Sequence, residues 1–288
     1  MATENKIKSR IRAATDRTVT ALAVLSTALV VAPLIAIFAY VIYKGASSLN
    51  WAFFTEIPKP VGESGGGMAN AILGSAILLG LASTVGVPLG IGAGIFLAEF
   101  GRGSKLAEAV RFTADVLNGV PSIVMGLAVY ALVVVPQRHF SALSGGVAMG
   151  IMMIPTICRT TEEMLLMVPQ SVREAALALG VPNWRSALSI TLKTASPGVI
   201  TGCMLAFARV AGETAPLMFT AFGNSNWSVS PNEAIAALPL QIFVFAISPY
   251  DDWHRMAWAG ALVLITLIVV AVALVRYVTS RGVLKGAS

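Results

Sequence analysis

The chain has 288 residues, of which 56% are hydrophobic and only 12% charged, with a formal net charge of +6 and a mean hydropathy of +0.79. A water-soluble core of this length needs far less apolar surface, which excludes a soluble globular domain and predicts an integral membrane protein. The positive charge asks for no nucleic-acid partner, because in a membrane protein it reports which loops stay inside and, at the inner surface, contact with anionic lipid.

A helix rises about 1.5 Å per residue and must cross about 30 Å of hydrocarbon. On that measure the apolar runs predict six spans, at 20–43, 69–97, 113–135, 145–167, 197–222 and 258–277. They form one transmembrane domain over 20–280, between an N-terminal tail (1–19) and a C-terminal tail (281–288), both predicted cytoplasmic. The first run follows Lys6, Lys8, Arg10, Arg12 and Arg17. It resembles the basic start of a signal peptide but is too long and lacks a small-residue cleavage site, so a retained anchor is expected.

The second span carries "GLASTVGVPLGIGAG" (Gly80 to Gly94). Small residues at regular spacing let membrane helices approach closely, and no strand precedes the run as a nucleotide loop would require. No G-x-x-x-x-G-K-[ST] occurs in the chain, so P-loop ATPase activity is not expected of it. Cys158 and Cys203 fall inside predicted spans and predict apolar packing rather than a disulfide framework. His139 and His254 fall in predicted outer loops without metal-ligand spacing.

Ionisable residues at membrane depth are the sharpest signal, since each is costly in hydrocarbon unless it faces a cavity or a partner. Arg159 follows an apolar run too short to span, so its helix must continue past it. Either it snorkels or pairs with Glu162 or Glu163, or it faces a path. Arg209 lies in "LAFARVAGETAPLMF" with Glu213 four residues on, a spacing that predicts a pair on one helical face. Such a pair either joins helices or lines a path, and Gly212 and Pro216 favour an opening there. Two guanidiniums at depth match an anionic cargo, because their forked donors fit phosphate or carboxylate oxygens. Asp115 is expected near the inner surface as a helix-end charge. Between spans, "IPKPVGESGGGM" (57–68) reads as a flexible outer connection. The outer segment 223–254 has an apolar middle, 234–247, too short to cross, which predicts an interfacial or re-entrant helix flanked by Trp227, Tyr250 and Trp253.

Basic residues orient the whole: fourteen fall in segments that are inner if the N-terminus is inside, against four (Lys44, Lys59, Arg138 and Arg255) in outer ones. On the inner side, "VREAALALGVPNWRSALSITL" (172–192) has a stripe of Val172, Ala175, Ala176 and Leu179, then Gly180 and Pro182 as a stop, with Asn183 positioned to cap a second helix. Small residues on that stripe suit docking into another protein's groove better than lying on a bilayer.

The stretch "EAALALG" (Glu174 to Gly180), followed after nine residues by "ITL", resembles the EAA loop of ABC importer permeases. The family's usual proline after I-x-L is replaced here by Lys193, with proline at Pro197. "ARVAGETAPL" (208–217), "GVPSIVMGL" (119–127) and "IPTICRTTEEML" (154–165) are similar to the PstA-type permease subunit of phosphate-specific ABC importers. The resemblance implies an all-α, type I (MetI-like) permease with six transmembrane helices and a cytoplasmic coupling element at 170–193. It implies a bacterial or archaeal inner-membrane protein working with a PstC-type permease, two copies of a cytoplasmic ATPase and an extracytoplasmic phosphate-binding protein. ATP and Mg would be bound by the ATPase, and this chain would hold no cofactor and catalyse nothing. Carried onto these residues, the resemblance makes Arg159, Arg209, Glu213 and Thr214 candidates for the phosphate path, and Glu174, Ala175, Ala176, Leu179 and Gly180 candidates for ATPase coupling. A permease for another oxyanion, an ion-coupled carrier and a cargo-free sensory partner stay open as alternatives.

Overall fold

The computed structural model describes residues 2–61, 63 and 65–285; the end of the predicted C-terminal tail, 286–288, lies outside them, as do the side chains of Lys6, Lys8, Arg10, Arg281 and Lys285. The architecture is all-α, with one isolated β-bridge between Phe222 and Ile235. In chain order the helices are α1 (Ala2–Ala46), α2 (Trp51–Thr55), α3 (Ala69–Ile95), α4 (Lys105–Gly119), α5 (Ser122–Val129), α6 (Val135–Gln137), α7 (Ala142–Leu166), α8 (Gln170–Ala178), α9 (Asn183–Ser186), α10 (Leu192–Ala211), α11 (Ala215–Thr220), α12 (Leu238–Ala246) and α13 (Asp251–Lys285). Single π-helical turns extend α3 over Phe96–Phe100, join α5 to α6 over Tyr130–Val134, and join α9 to α10 over Ala187–Thr191.

Among the described residues, five helical stretches are long and apolar enough to cross a membrane: Thr15–Ala46, Ala69–Phe100, Ala142–Leu166, Asn183–Ala211 and Asp251–Thr279. The sixth candidate is a broken one. The straight span predicted at 113–135 is instead two helices, Lys105–Gly119 and Ser122–Gln137, bent by 108°. Pro121 is the cause: it disfavours helical geometry in the residue before it, and Val120 accordingly adopts φ −71°, ψ 130°. The fifth span also differs from expectation. It starts at Asn183, inside the predicted coupling segment, and ends at Ala211 rather than running to 222. Counting apolar residues missed its polar first turns, which stay helical because an unbroken helix satisfies its own backbone.

The centre of the molecule is a parallel seam between α3 and α7, built on glycine. A Cβ placed on Gly86 would lie 2.8 Å from Met153 Cβ, one on Gly90 2.7 Å from Ile157 Cβ, and one on Gly94 2.6 Å from Thr161 Cβ. From the other side, Gly146 meets Leu81 and Gly150 meets the carbonyl of Ala82. The two backbones therefore approach closely along several turns, the role expected of small residues at four-residue spacing. Gly80 and Gly92, off this face, meet nothing. Met153, Ile157 and Leu78 are fully buried along the seam.

Further elements mount on this pair. α10 runs along α7 with Gly198 against Met164 and Gly202 against Thr160. The segment before α12 runs extended against the helices, burying Ile235, Ala236 and Ala237. There Gly74 of α3 faces the Ala236 carbonyl, and the Leu238 amide donates to Ser75 Oγ at 2.7 Å. The first half of the apolar middle that was too short to span is thus packed within the protein, and it continues as α12, whose backbone bonds are internal and whose Phe243, Val244 and C-cap Ile247 are exposed. α1 packs on α13, with Tyr40 edge-on to Trp258 and Gly45 against the Trp258 carbonyl. The outer connection before α3 holds one short helix that sequence reading missed, α2, which plants the fully buried Phe53.

The seam makes a direct prediction. Gly90→Ala forces a methyl against Ile157 and is expected to destabilise the purified chain by about 1–3 kcal/mol, the usual cost of overpacking. Gly92→Ala, facing open space, should leave the thermal midpoint unchanged; reactivity of buried Cys158 and Cys203 towards a thiol dye on heating reads both. Equal midpoints for the two variants would overturn the seam.

Candidate functional site

Three stretches singled out in the sequence converge. Gly126 of α5 lies against Pro216 of α11, where a Cβ would sit 2.6 Å from Pro216 Cα, so the "GVPSIVMGL" and "GETAPL" segments touch. Thr156 Oγ1 donates to Asn118 Oδ1 at 3.3 Å, which ties the third stretch, on α7, to the end of α4.

Arg159 is not free. Its guanidinium donates to both Asp115 oxygens (3.1 and 3.2 Å) and to Glu162 Oε2 (3.2 Å). Glu162, almost fully buried, is held in turn by Arg111 Nε at 2.7 Å, and Arg111 also donates to the Leu97 carbonyl. Two arginines and two carboxylates thus form a neutral chain from α4 to α7. Asp115, expected as a helix-end charge, is its exposed terminus. Pairing inside a network offsets the desolvation each charge would otherwise suffer.

Arg209 differs. The predicted pair with Glu213 is not formed, because the helix stops at Ala211: Gly212 (φ −95°, ψ 0°) closes α10, and Glu213 and Thr214 lie in the break before α11. An i, i+4 spacing places two side chains on one face only while the helix continues. Arg209 is exposed on the last turn of α10 and makes no ion pair with the described residues. Its depth follows from packing. The antiparallel register of Met164 on Gly198 and Thr160 on Gly202 brings Arg209 level with Met153, near the middle of α7. The two arginines are then six residues of helix apart along the axis, about 9 Å. Glu213 and Thr214 are half-buried at the break, and Thr214 makes no capping bond to α11.

The element with the docking stripe is α8. Gly180 has φ +77° and nothing within reach of a Cβ, so it is there for its backbone, closing α8 by donating to the Leu177 carbonyl at 2.9 Å while Val181 donates to Ala176. The stripe is split by the fold. Ala176, expected to face a partner, is 4% exposed and with Val172 faces the protein's own interior. Glu174, Ala175, Leu179 and Gly180 are exposed, Leu179 by 84%. Trp184 (60% exposed) and Leu177 extend the outward apolar surface and were missed in the sequence, where an amphipathic count gave them no special place. The expected cap at Asn183 is absent: Pro182 holds the N-cap position and Asn183 opens α9.

One side chain unnoticed in the sequence ties α8 down. Arg173 donates to Glu99 Oε1 at 2.8 Å, with Nε at 3.1 and 3.2 Å from its two oxygens, and to the carbonyls of Leu165 and Val168, both at 2.6 Å. Glu99 lies just past the predicted end of the second span and Arg173 just before "EAA", so no local pattern linked them.

A family model described as "Binding-protein-dependent transport system inner membrane component" matches residues 90–282. The phosphate transport system permease protein PstA of Yersinia pestis is 52% identical over 226 residues, 78% of this chain and 76% of that one. PstA of Xylella fastidiosa (strain 9a5c) is 50% identical over 234 residues, 81% of each. Among solved structures, an inward-facing conformation of the MetNI methionine ABC transporter superposes with a TM-score of 0.58 at 17% identity, over 77% of this chain and 97% of that one, a likeness of fold. The chain therefore belongs to the family of binding-protein-dependent transport system inner membrane components, on the branch of the PstA permeases, and has their MetI-like permease fold.

Proposed function

We propose that this chain is the permease subunit of an ATP-driven phosphate importer, multi-pass in the inner membrane with both termini cytoplasmic. It would form the path with a PstC-type permease, engage two copies of a cytoplasmic ATPase that binds ATP and Mg, and receive phosphate from an extracytoplasmic binding protein. In this reading the chain holds no cofactor and no hydrolytic site of its own. The names of the relatives support the substrate, and the fourteen-to-four distribution of basic residues supports the orientation.

The observation that carries the reading is Arg209. A guanidinium at mid-depth with no carboxylate partner among the described residues must be met by water, by a second subunit or by an anion, since hydrocarbon would cost several kcal/mol. It stands where a membrane helix breaks, and irregular backbone at that depth is tolerated where it is packed in protein or lines a cavity. Its planar fork offers two parallel donors to phosphate oxygens. Glu213 and Thr214, at the break, line the same stretch; the Glu213 charge keeps anion affinity low enough for release. Arg159 serves the inner end of the path, its fork shared with Asp115 and Glu162. ATP-driven closure of the ATPase pair pushes on α8, with Glu174, Ala175, Leu179 and Gly180 at the contact, and alternates the cavity between outward and inward access.

In proteoliposomes holding the assembled importer, ATP-dependent uptake of radiolabelled phosphate is expected to fall about tenfold or more in Arg209→Gln, with Arg209→Lys intermediate because it keeps the charge and loses the fork. Native uptake in Arg209→Gln removes it from the path, and uptake of sulfate in place of phosphate moves the substrate assignment. Gly180→Pro demands a φ near −65° where the chain has +77°. It is expected to abolish co-purification of the ATPase, while Gly180→Ala, at a cost of about 1–2 kcal/mol for a left-handed residue, weakens it. Undiminished co-purification of the proline variant refutes the docking role of this turn.

A further inference from the structure

α8 has few attachments to the membrane helices. Ala176 is its one buried residue, Val172 packs partly on the core, and its other neighbours are α9 and the π-helical turn that follows. Arg173 is the exception. Its guanidinium reaches both members of the central seam at once: Glu99 on the turn that extends α3, and the Leu165 and Val168 carbonyls at the end of α7. Both partners of the ion pair have side chains only 12% exposed, so the bond is shielded from competing water. A fork with two carboxylate and two carbonyl acceptors is a fixed geometry, unlike the swivelling contact of a lysine. The positive group also sits at the C-terminal, electronegative end of α7. The π-helical turn matters too, because an i→i+5 turn inserts a residue and so changes the direction in which Glu99 leaves the axis of α3.

We propose that Arg173 is the positioning residue that makes α8 and the α3–α7 pair one mechanical body, delivering a push on α8 to the helices of the seam. This rests on the reading of α8 as the ATPase-docking element. A latch of this kind separates two quantities that a merely structural residue would move together: assembly of the complex, and the cargo moved per ATP hydrolysed. A loose α8 still presents Leu179 and Trp184 to a partner, but its displacement is absorbed by a rotation about the Gly180 turn.

The test uses the assembled importer in proteoliposomes with radiolabelled inorganic phosphate, measuring co-purified ATPase, ATP hydrolysis and uptake in Glu99→Gln, Arg173→Gln and the double variant. Glu99→Gln is the gentle one, since it leaves the carbonyl bonds of Arg173 in place. The expected result is native ATPase content, with uptake per ATP reduced about tenfold in each single variant and no further in the double, because both remove the same charged pair. Native uptake per ATP in Glu99→Gln and Arg173→Gln, or losses that multiply in the double variant, overturn the latch while leaving the docking of α8 intact. A parallel Leu179→Asp variant that retains its full complement of ATPase overturns the docking itself, and the latch with it.

Discussion

Everything in this molecule hangs from the close approach of α3 and α7. Within lipid there is no hydrophobic gain in bringing two apolar helices together, so association must come from dispersion across a close contact. Gly86, Gly90 and Gly94 on one helix, and Gly146 and Gly150 on the other, allow that contact by removing side chains where backbones meet. The resulting pair stays in close contact over several turns of both helices. At its N-terminal end Gly74 and Ser75 receive the extended segment before α12; at its C-terminal end Glu99 and the Leu165 carbonyl receive Arg173. The side of α7 that carries Thr160 and Met164 seats α10. Both the proposed path and the proposed drive are thus mounted on one support.

The two arginines at membrane depth show how the same residue type takes opposite roles from its surroundings. Arg159 belongs to a chain of alternating charges that sums to neutrality and ties α4 to α7. Arg209 sits where α10 ends, and its electrostatic cost is offset by none of the described carboxylates. The neutral network is self-sufficient and the lone guanidinium is not, an asymmetry that supports the proposal that Arg209 meets the anion.

The bent pair α4–α5 and the broken span α10–α11 belong together. Pro121 forces the first bend and Gly212 ends the second helix, and Gly126 meets Pro216 where the two irregular elements touch. Breaks in membrane helices leave backbone groups that lipid cannot satisfy. The two broken spans meet through Gly126 and Pro216, while Gly119, Pro121 and Gly212 at the breaks themselves are exposed on this chain.

The sequence by itself determined the membrane class, the approximate place of most spans, the packing role of the glycine run and the presence of a bent, partly apolar element between the fourth and fifth spans. These follow from composition and from helical periodicity, which act over a few neighbouring residues. It did not determine where helices stop or which faces meet. The Arg209–Glu213 spacing read as a pair because periodicity assumes an unbroken helix, and whether Gly212 breaks one depends on what Pro216 packs against. Ala176 read as a docking residue because a stripe has no inside or outside until α8 is laid on the core. Arg173 and Glu99 are 74 residues apart, and only the tertiary structure, by closing α3 onto α7, decided that their charges would meet.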